Sequence, residues 1–262
     1  MNWLEALILG LVQGLTEFLP VSSSGHIEIG KALLSIDIEE NLAFTVLLHS
    51  ATVLSTIVVF RKDLLEILKG LLEFKKNEAS DFSFKILLSM VPAVIVGLLW
   101  EDSIEELFSG KILFVGLMLL ITASLLTLTY YAKRNKKDIS YGKAFIIGLA
   151  QAVAILPGIS RSGATIATGL YLGVDREKIT RFSFLMVLLP IIGASSLSLM
   201  KSGFSIQSDI GLLPMVSGFL AAFFAGWFAC KLMITIVKKG KLIYFAAYCL
   251  AAGLISIIFG LI

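Results

Sequence analysis

Two short stretches of this chain hold residue types that do chemistry. The first, QGLTEFLPVSSSGH, runs from Gln13 to His26; the second, LPGISRSGATIATG, from Leu156 to Gly169. Gln13 and Glu17 are four apart and so share one helix face, and Pro20 ends that helix. Ser22, Ser23, Ser24, Gly25 and His26 follow. In the second stretch Pro157 and Gly158 break the chain, Ser160 and Ser162 flank Arg161, and Thr165 lies one helical turn further on. A helix beginning near Ser160 would gather free backbone N–H groups, its positive dipole end, two hydroxyls and a guanidinium at one place, which makes an anion site. The planar guanidinium fork suits phosphate oxygens in particular.

Both stretches sit in apolar surroundings, where an ionised glutamate costs about 2.5 to 3.5 kcal/mol. Glu17 therefore asks for a partner. The partner is a divalent cation, Arg161 in a structural ion pair, or the loose backbone of its own hairpin. A carboxylate, serines and a histidine facing an arginine-bearing helix start suit metal-assisted attack on a phosphoryl group, which needs positioning and charge neutralisation more than covalent help. On this reading Glu17 holds a hard cation, Mg²⁺ or Ca²⁺, that bridges phosphate oxygens. Arg161 clamps the remaining charge. His26 is the general acid or base. A serine of the Ser22 to Ser24 run attacks or positions the nucleophile.

The elements that must position these residues are membrane helices. Of 262 residues 57% are hydrophobic and 16% charged, and the mean hydropathy is +0.93, which rules out a charge-covered soluble surface. Cys230 and Cys249 lie in apolar runs, far from any metal-ligand spacing, and read as packing residues. Six apolar stretches are long enough to cross roughly 30 Å of hydrocarbon: Leu42 to Phe60, Phe82 to Trp100, Ile112 to Ala132, Phe182 to Met200, Ile210 to Cys230 and Leu242 to Ile262. Two further regions, Ala6 to Ile36 and Ala144 to Val174, are broken by Pro, Gly and Ser into halves too short to span. Irregular backbone of that kind survives at membrane depth only inside protein or along a wet cavity, so each is expected to be a re-entrant helix-loop-helix hairpin.

The Lys and Arg residues set the orientation. Eighteen of twenty-two fall in the loops 61–85, 133–143, 174–181 and 231–241. The opposite loops carry Asp37, Glu39 and Glu40, then Glu101, Asp102, Glu105 and Glu106. The alternation requires six crossings, both termini outside, and two hairpins that return to the side they came from. Residues 61–76, with Leu64, Leu68, Leu71 and Leu72 among lysines, read as an amphipathic helix on the inner leaflet. A shift of 138 residues lays Ala6 on Ala144, Gly10 on Gly148, Gln13 on Gln151, Ser24 on Ser162, Gly25 on Gly163 and Phe44 on Phe182. Three crossings separate the copies, so the second is inverted relative to the first. The expected fold is thus a single all-α polytopic membrane domain, residues 1–262, in two inverted repeats. Residues 1–138 carry the hairpin 6–36, and residues 139–262 carry the hairpin 144–174. Glu17 and His26 of the first copy fall opposite Ile155 and Ala164 of the second, so a symmetric scaffold holds an asymmetric site.

Taken together, Gln13 to His26 and Pro157 to Thr165 closely resemble the two signatures, (E/Q)xxxE with PVSSxGH and PGxSRSxxT, of bacterial undecaprenyl pyrophosphate phosphatases of the bacitracin-resistance type. The resemblance extends over essentially the whole chain. It implies a Mg²⁺- or Ca²⁺-dependent enzyme of the bacterial plasma membrane that removes the terminal phosphate of undecaprenyl pyrophosphate. That reaction regenerates the lipid carrier for peptidoglycan and other wall polymers. Its pocket would open outward. Carried over by position, the resemblance implies catalytic roles for Glu17, Ser23, His26 and Arg161, and substrate contacts from Gln13, Ser22, Ser24, Ser160, Ser162 and Thr165. Metal ligation would fall to Glu17 and Gln13. The partners expected are the polyprenyl diphosphate and membrane lipid, with no nucleic acid; a homodimer is left open.

This chain departs from the family pattern in places. Gln13 stands where many members have Glu, which leaves one carboxylate for the metal. Thr45 and His49 stand where Glu and Gln are common, and His49 reads as a packed core histidine or as a partner behind the site. Glu28 is expected to lie at the interface. The rival reading is a flippase or transporter for polyprenyl phosphate, built on the same anion site.

Overall fold

The computed structural model describes residues 1–34, 42–73, 75–100, 111–132, 136–201 and 210–261, together with Ile104 and Leu107. The acidic loop residues Asp37, Glu39, Glu40, Glu101, Asp102, Glu105 and Glu106 lie outside these. The helices are α1 (Trp3–Phe18), α2 (Ser23–Leu34), α3 (Leu42–Val59), α4 (Arg61–Leu72), α5 (Glu78–Leu99) and α6 (Ile112–Leu128). They continue with α7 (Tyr141–Val153), α8 (Arg161–Tyr171), α9 (Arg176–Met186), α10 (Leu188–Lys201), α11 (Leu212–Lys239) and α12 (Ile243–Leu261). Among the described residues there is no strand, only an isolated bridge between Lys137 and Val174.

Four helices, α5, α6, α11 and α12, are long and apolar enough to cross a membrane, and α3 with α4 makes a fifth if a 77° bend is counted within one span. The bend follows from composition. After Val59 the chain changes from an apolar run to RKDLLEILKGLL, and no residue of α4 is buried by the protein. Leu65, Leu68, Leu71 and Leu72 of α4 are exposed, as an amphipathic helix lying on a surface requires.

One expected crossing is divided. Phe182 to Met200 is not a single helix, because α9 ends at Met186 and α10 starts at Leu188. Pro190 is the reason: its ring clashes with the carbonyl four residues back, at Met186, and it has no N–H to continue the ladder. A proline in the first turn of α10 is tolerated.

Helix pairs approach closely through small residues, as they must where lipid supplies no hydrophobic drive for association. α1 lies along α11. A Cβ on Gly14 would stand 2.5 Å from the carbonyl oxygen of Ala222, so only glycine allows this contact. α7 lies along α5 in the same manner, with Gly148 against the Ser89 carbonyl, and α6 pairs with α12. Cys230 and Cys249 are free, buried packing residues, as the sequence suggests. Glu28 is also buried rather than interfacial, at 6% exposure, because α2 packs against α1 and α6.

Candidate functional site

The ends of two helix pairs meet at the site. α1 stops at Phe18, Leu19 turns extended, and Val21 closes a tight turn onto the Leu19 carbonyl before α2 begins at Ser23. Ser22, at the turn, has φ 70°, and it is the one non-glycine residue with positive φ among those described. The left-handed conformation costs a serine about 1 kcal/mol. Its hydroxyl compensates: Ser22 Oγ accepts from Gly25 N at 3.3 Å and, across the interface, from Gly158 N at 3.1 Å.

In the second pair, Gly158 has φ 97°, and a Cβ there would lie 2.6 Å from the Val115 carbonyl oxygen. The turn is pinned to α6 by Thr122, whose hydroxyl donates to the Gly158 carbonyl and accepts from Ser160 N, both at 3.0 Å. Ser160 caps α8 by accepting from Gly163 N, which places Arg161 in the first turn with its backbone N–H unclaimed by the helix, as expected of this motif.

Arg161 Nη2 donates to Glu17 Oε1 across the interface. The other carboxylate oxygen, Oε2, accepts from Ser23 Oγ at 2.7 Å and from Gln13 Nε2 at 3.0 Å. The Gln13 amide also donates to His49 Nδ1 at 3.1 Å, so His49 carries its proton on Nε2 and stands behind the carboxylate. The Glu17 side chain is 5% exposed and that of Arg161 26%, which leaves the guanidinium as the accessible part of the pair. Glu17, Arg161 and Ser162 line one crevice with Thr52 and Thr56 of α3 and Ser183 of α9.

Other expected residues are placed around this cluster. Ser160, Ser162 and Thr165 are buried, and their hydroxyls are spent locally. Ser160 and Ser162 face each other at 3.3 Å, and Ser162 reaches the Leu19 carbonyl at 3.4 Å. Thr165 bonds the Arg161 carbonyl at 2.8 Å and the Ser183 hydroxyl at 2.7 Å. Ser24 Oγ lies 3.3 Å from Ser22 Oγ. His26, one turn beyond Ser23 on the same side of α2, makes its contacts elsewhere. Its Nδ1–H donates to the Ser22 carbonyl at 2.8 Å, and Nε2 accepts from Tyr248 Oη at 2.7 Å.

Thr122, Ser183 and Tyr248 do not stand out in the sequence. A hydroxyl in the middle of the apolar run of α6 is the one local signal for Thr122. Tyr248 gives none, since α12 is otherwise an ordinary apolar helix.

Gln13 and Glu17 carry side-chain oxygens of the kind a hard divalent cation takes. Gln13 Oε1 is buried and has no hydrogen-bond partner, while the nitrogen of the same amide donates to Glu17 Oε2. An orphaned amide oxygen normally costs stability, and a cation is one group that would satisfy it. No cluster of three or more His, Cys, Asp or Glu suited to a metal occurs among the described residues. A cation beside Glu17 would need substrate oxygens as well. Mg²⁺ is commonly held in that way, by one or two carboxylates plus substrate phosphates.

A family model described as "Bacitracin resistance protein BacA" matches residues 6–255. Among similar proteins, an undecaprenyl-diphosphatase of Parabacteroides distasonis is 56% identical over 260 residues, covering 98% of each chain. One of Christiangramia forsetii is 58% identical over 261 residues, with 99% of this chain and 98% of that one covered. A more distant undecaprenyl-diphosphatase, from Methanosphaera stadtmanae, is 38% identical over 280 residues, with 99% and 98% covered.

Proposed function

The chain belongs to the bacitracin resistance protein BacA family, and from that membership we propose that it is an undecaprenyl-diphosphatase of the membrane, releasing the terminal phosphate of undecaprenyl diphosphate and leaving undecaprenyl phosphate. The observation that carries the reading is the Glu17 carboxylate, which receives Arg161 from one helix pair and Ser23 from the other.

The residues divide the work. Arg161 uses one nitrogen on Glu17 and has further N–H donors, which together with the N-terminus of α8 suit the terminal phosphate. Phosphate oxygens arriving at the guanidinium would replace Glu17 Oε1 and free that carboxylate. Ser23, already directed at Glu17 Oε2, attacks the terminal phosphorus as its proton passes to Glu17. The bridging P–O bond breaks, and undecaprenyl phosphate departs as its anion. Water then attacks the phosphoserine, its proton passing to His26 Nε2 in exchange for Tyr248, while Glu17 returns its proton to Ser23 Oγ, so that inorganic phosphate leaves and Ser23 is restored. Ser22, Ser160, Ser162 and Thr165 hold the two turns and the helix start in place, and Ser24 supports Ser22. A divalent cation on Gln13 and Glu17 would neutralise charge on the diphosphate oxygens.

In the membrane, the reading is of six crossings and two re-entrant hairpins, α1 with α2 and α7 with α8, in inverted repeats. Exchanged packing supports it: the shift of 138 residues that carries α1 onto α7 also carries α5 onto α11, and α1 packs on α11 as α7 packs on α5. The Lys and Arg bias supports termini on the outer side, and the family resemblance implies a pocket that opens there. A lipid flippase is not favoured, since anion binding alone calls for neither Glu17 nor a hydroxyl directed at it.

The test is phosphate release from a polyprenyl diphosphate by the detergent-solubilised protein, with Glu17→Ala, Ser23→Ala, His26→Ala and Arg161→Ala each losing it. Lipid movement across liposomes with no phosphate release would overturn the reading.

A further inference from the structure

Away from the site, a cavity of about 390 Å³ lies where α5, α7 and α9 begin. Its wall carries Lys85, Lys178 and Arg181 together with Glu78, Asp81 and Asp138. Lys85 is paired with Asp81, Lys178 with Asp138, and Arg181 Nε with Asp63 of α4 at 2.6 Å. With Asp63 counted, four carboxylates stand against three cations. The pairs are open to solvent, the side chains of Lys178 and Asp138 being 52% and 77% exposed, and exposed pairs of this kind hold weakly. A ligand carrying both signs of charge can therefore exchange partners with them.

The neighbours of the cavity set its depth. α4 turns Leu65, Leu68 and Leu72 outward and reaches Arg181 through Asp63, so the cavity is level with a helix suited to lie on the membrane surface. Tyr141, which begins α7, donates to Asp81 at 2.7 Å and is exposed, as are Tyr130 and Tyr131 just after α6. Tyrosines placed in this way mark a membrane–water boundary. Phe84 and Leu87 of α5, with Phe145 and Leu149 of α7, offer exposed apolar surface beside it. The Lys and Arg bias assigns this end to the inner leaflet.

We propose that the cavity is a headgroup site for a phosphatidylethanolamine of the inner leaflet. The phosphodiester takes N–H donors of Lys178 and Arg181, aided by the positive ends of the three helices that start there. The primary ammonium goes to Glu78 and Asp81, and the acyl chains run along α5 and α7. Charge decides among lipids: an excess of carboxylates disfavours a headgroup that is anionic overall, and a trimethylammonium has no N–H to give them.

Native mass spectrometry in detergent tests the site, with phosphatidylethanolamine, phosphatidylcholine and phosphatidylglycerol of identical acyl chains. The parent protein should retain phosphatidylethanolamine over phosphatidylcholine. In the Glu78→Gln/Lys178→Ala double variant that retention should fall about tenfold, to the level of phosphatidylcholine, as charge-assisted hydrogen bonds are lost. Phosphatidylethanolamine should also raise the unfolding midpoint of the parent and not that of the variant. Equal retention of phosphatidylethanolamine and phosphatidylcholine by the parent, or unchanged retention in the double variant, would overturn the site. Phosphatidylglycerol retention that falls as far in the variant would overturn the choice of headgroup.

Discussion

The hydroxyl of Ser22 accepts a hydrogen bond from the backbone N–H of Gly158 at 3.1 Å, and through it the turn between α1 and α2 is joined to the turn between α7 and α8. Both residues have positive φ, and both are buried with their bonding groups inward. The ion pair between Glu17 and Arg161 depends on this junction, because each charged residue lies close to it in the chain.

Removing the junction should loosen the site before it unfolds the protein. Ser22→Ala leaves the Gly158 N–H buried and unpaired, a loss of about 1 to 3 kcal/mol. The backbone offsets none of this, since alanine keeps the left-handed strain. Thermal unfolding should show the lowered midpoint, and phosphate release should fall by about tenfold to 100-fold as the two charged groups drift apart. Ser22→Gly, which relieves the strain, should be the more stable of the two variants and equally impaired in activity.

Glu17 and Arg161 should prove strongly non-additive. Arg161→Ala strands a buried carboxylate and should cost about 3 to 5 kcal/mol, whereas the Glu17→Gln/Arg161→Ala double variant, with no charge left to strand, should recover much of that loss. Activity should stay absent in both. A double-mutant cycle on chemical unfolding in detergent measures the coupling; additive losses would mean that the pair is not formed in the folded protein.

Chelation should stop phosphate release if Gln13 and Glu17 hold a cation. Adding EDTA and restoring Mg²⁺ or Ca²⁺ tests this directly. Gln13→Glu, which adds a second carboxylate, should lower the metal concentration needed for half-maximal activity, and Gln13→Leu should raise it. Equal activity of all three proteins in EDTA would remove the metal from the mechanism.

The α1–α11 contact should tolerate no side chain. Gly14→Ala places a methyl group 2.5 Å from the Ala222 carbonyl oxygen and 2.8 Å from Ala225 Cβ. The helices must separate, at a cost of about 1 to 3 kcal/mol, visible as a lower unfolding midpoint. Gly142→Ala, at a position where a Cβ meets nothing within 4 Å, should leave the midpoint unchanged.

Much of the site is legible in the sequence. The break at Pro20, the helix start at Ser160 and the amphipathic α4 follow from local chemistry, whereas Arg161 is one of three partners the sequence allows for Glu17. These are short-range rules: capping, proline geometry, and the cost of a charge in hydrocarbon. Sequence patterns fall short where a neighbour distant in the chain makes the decision. Ser160 and Thr165 look like ligands in sequence, yet their hydroxyls close a cap and meet Ser183. The crossing from Phe182 to Met200 looks continuous by hydropathy, which gives no weight to the proline inside it.

What the order of residues determined by itself was the membrane setting, the two broken helices and the set of groups able to handle a diphosphate, because insertion energy and helix termination act within a few residues. Tertiary packing alone decided which hydroxyl faces Glu17, that His49 stands behind Gln13, and that Tyr248 meets His26. Those contacts join residues between 6 and 222 positions apart. They exist only when helices approach closely enough for hydrogen bonds of about 3 Å, a condition no single segment can satisfy alone.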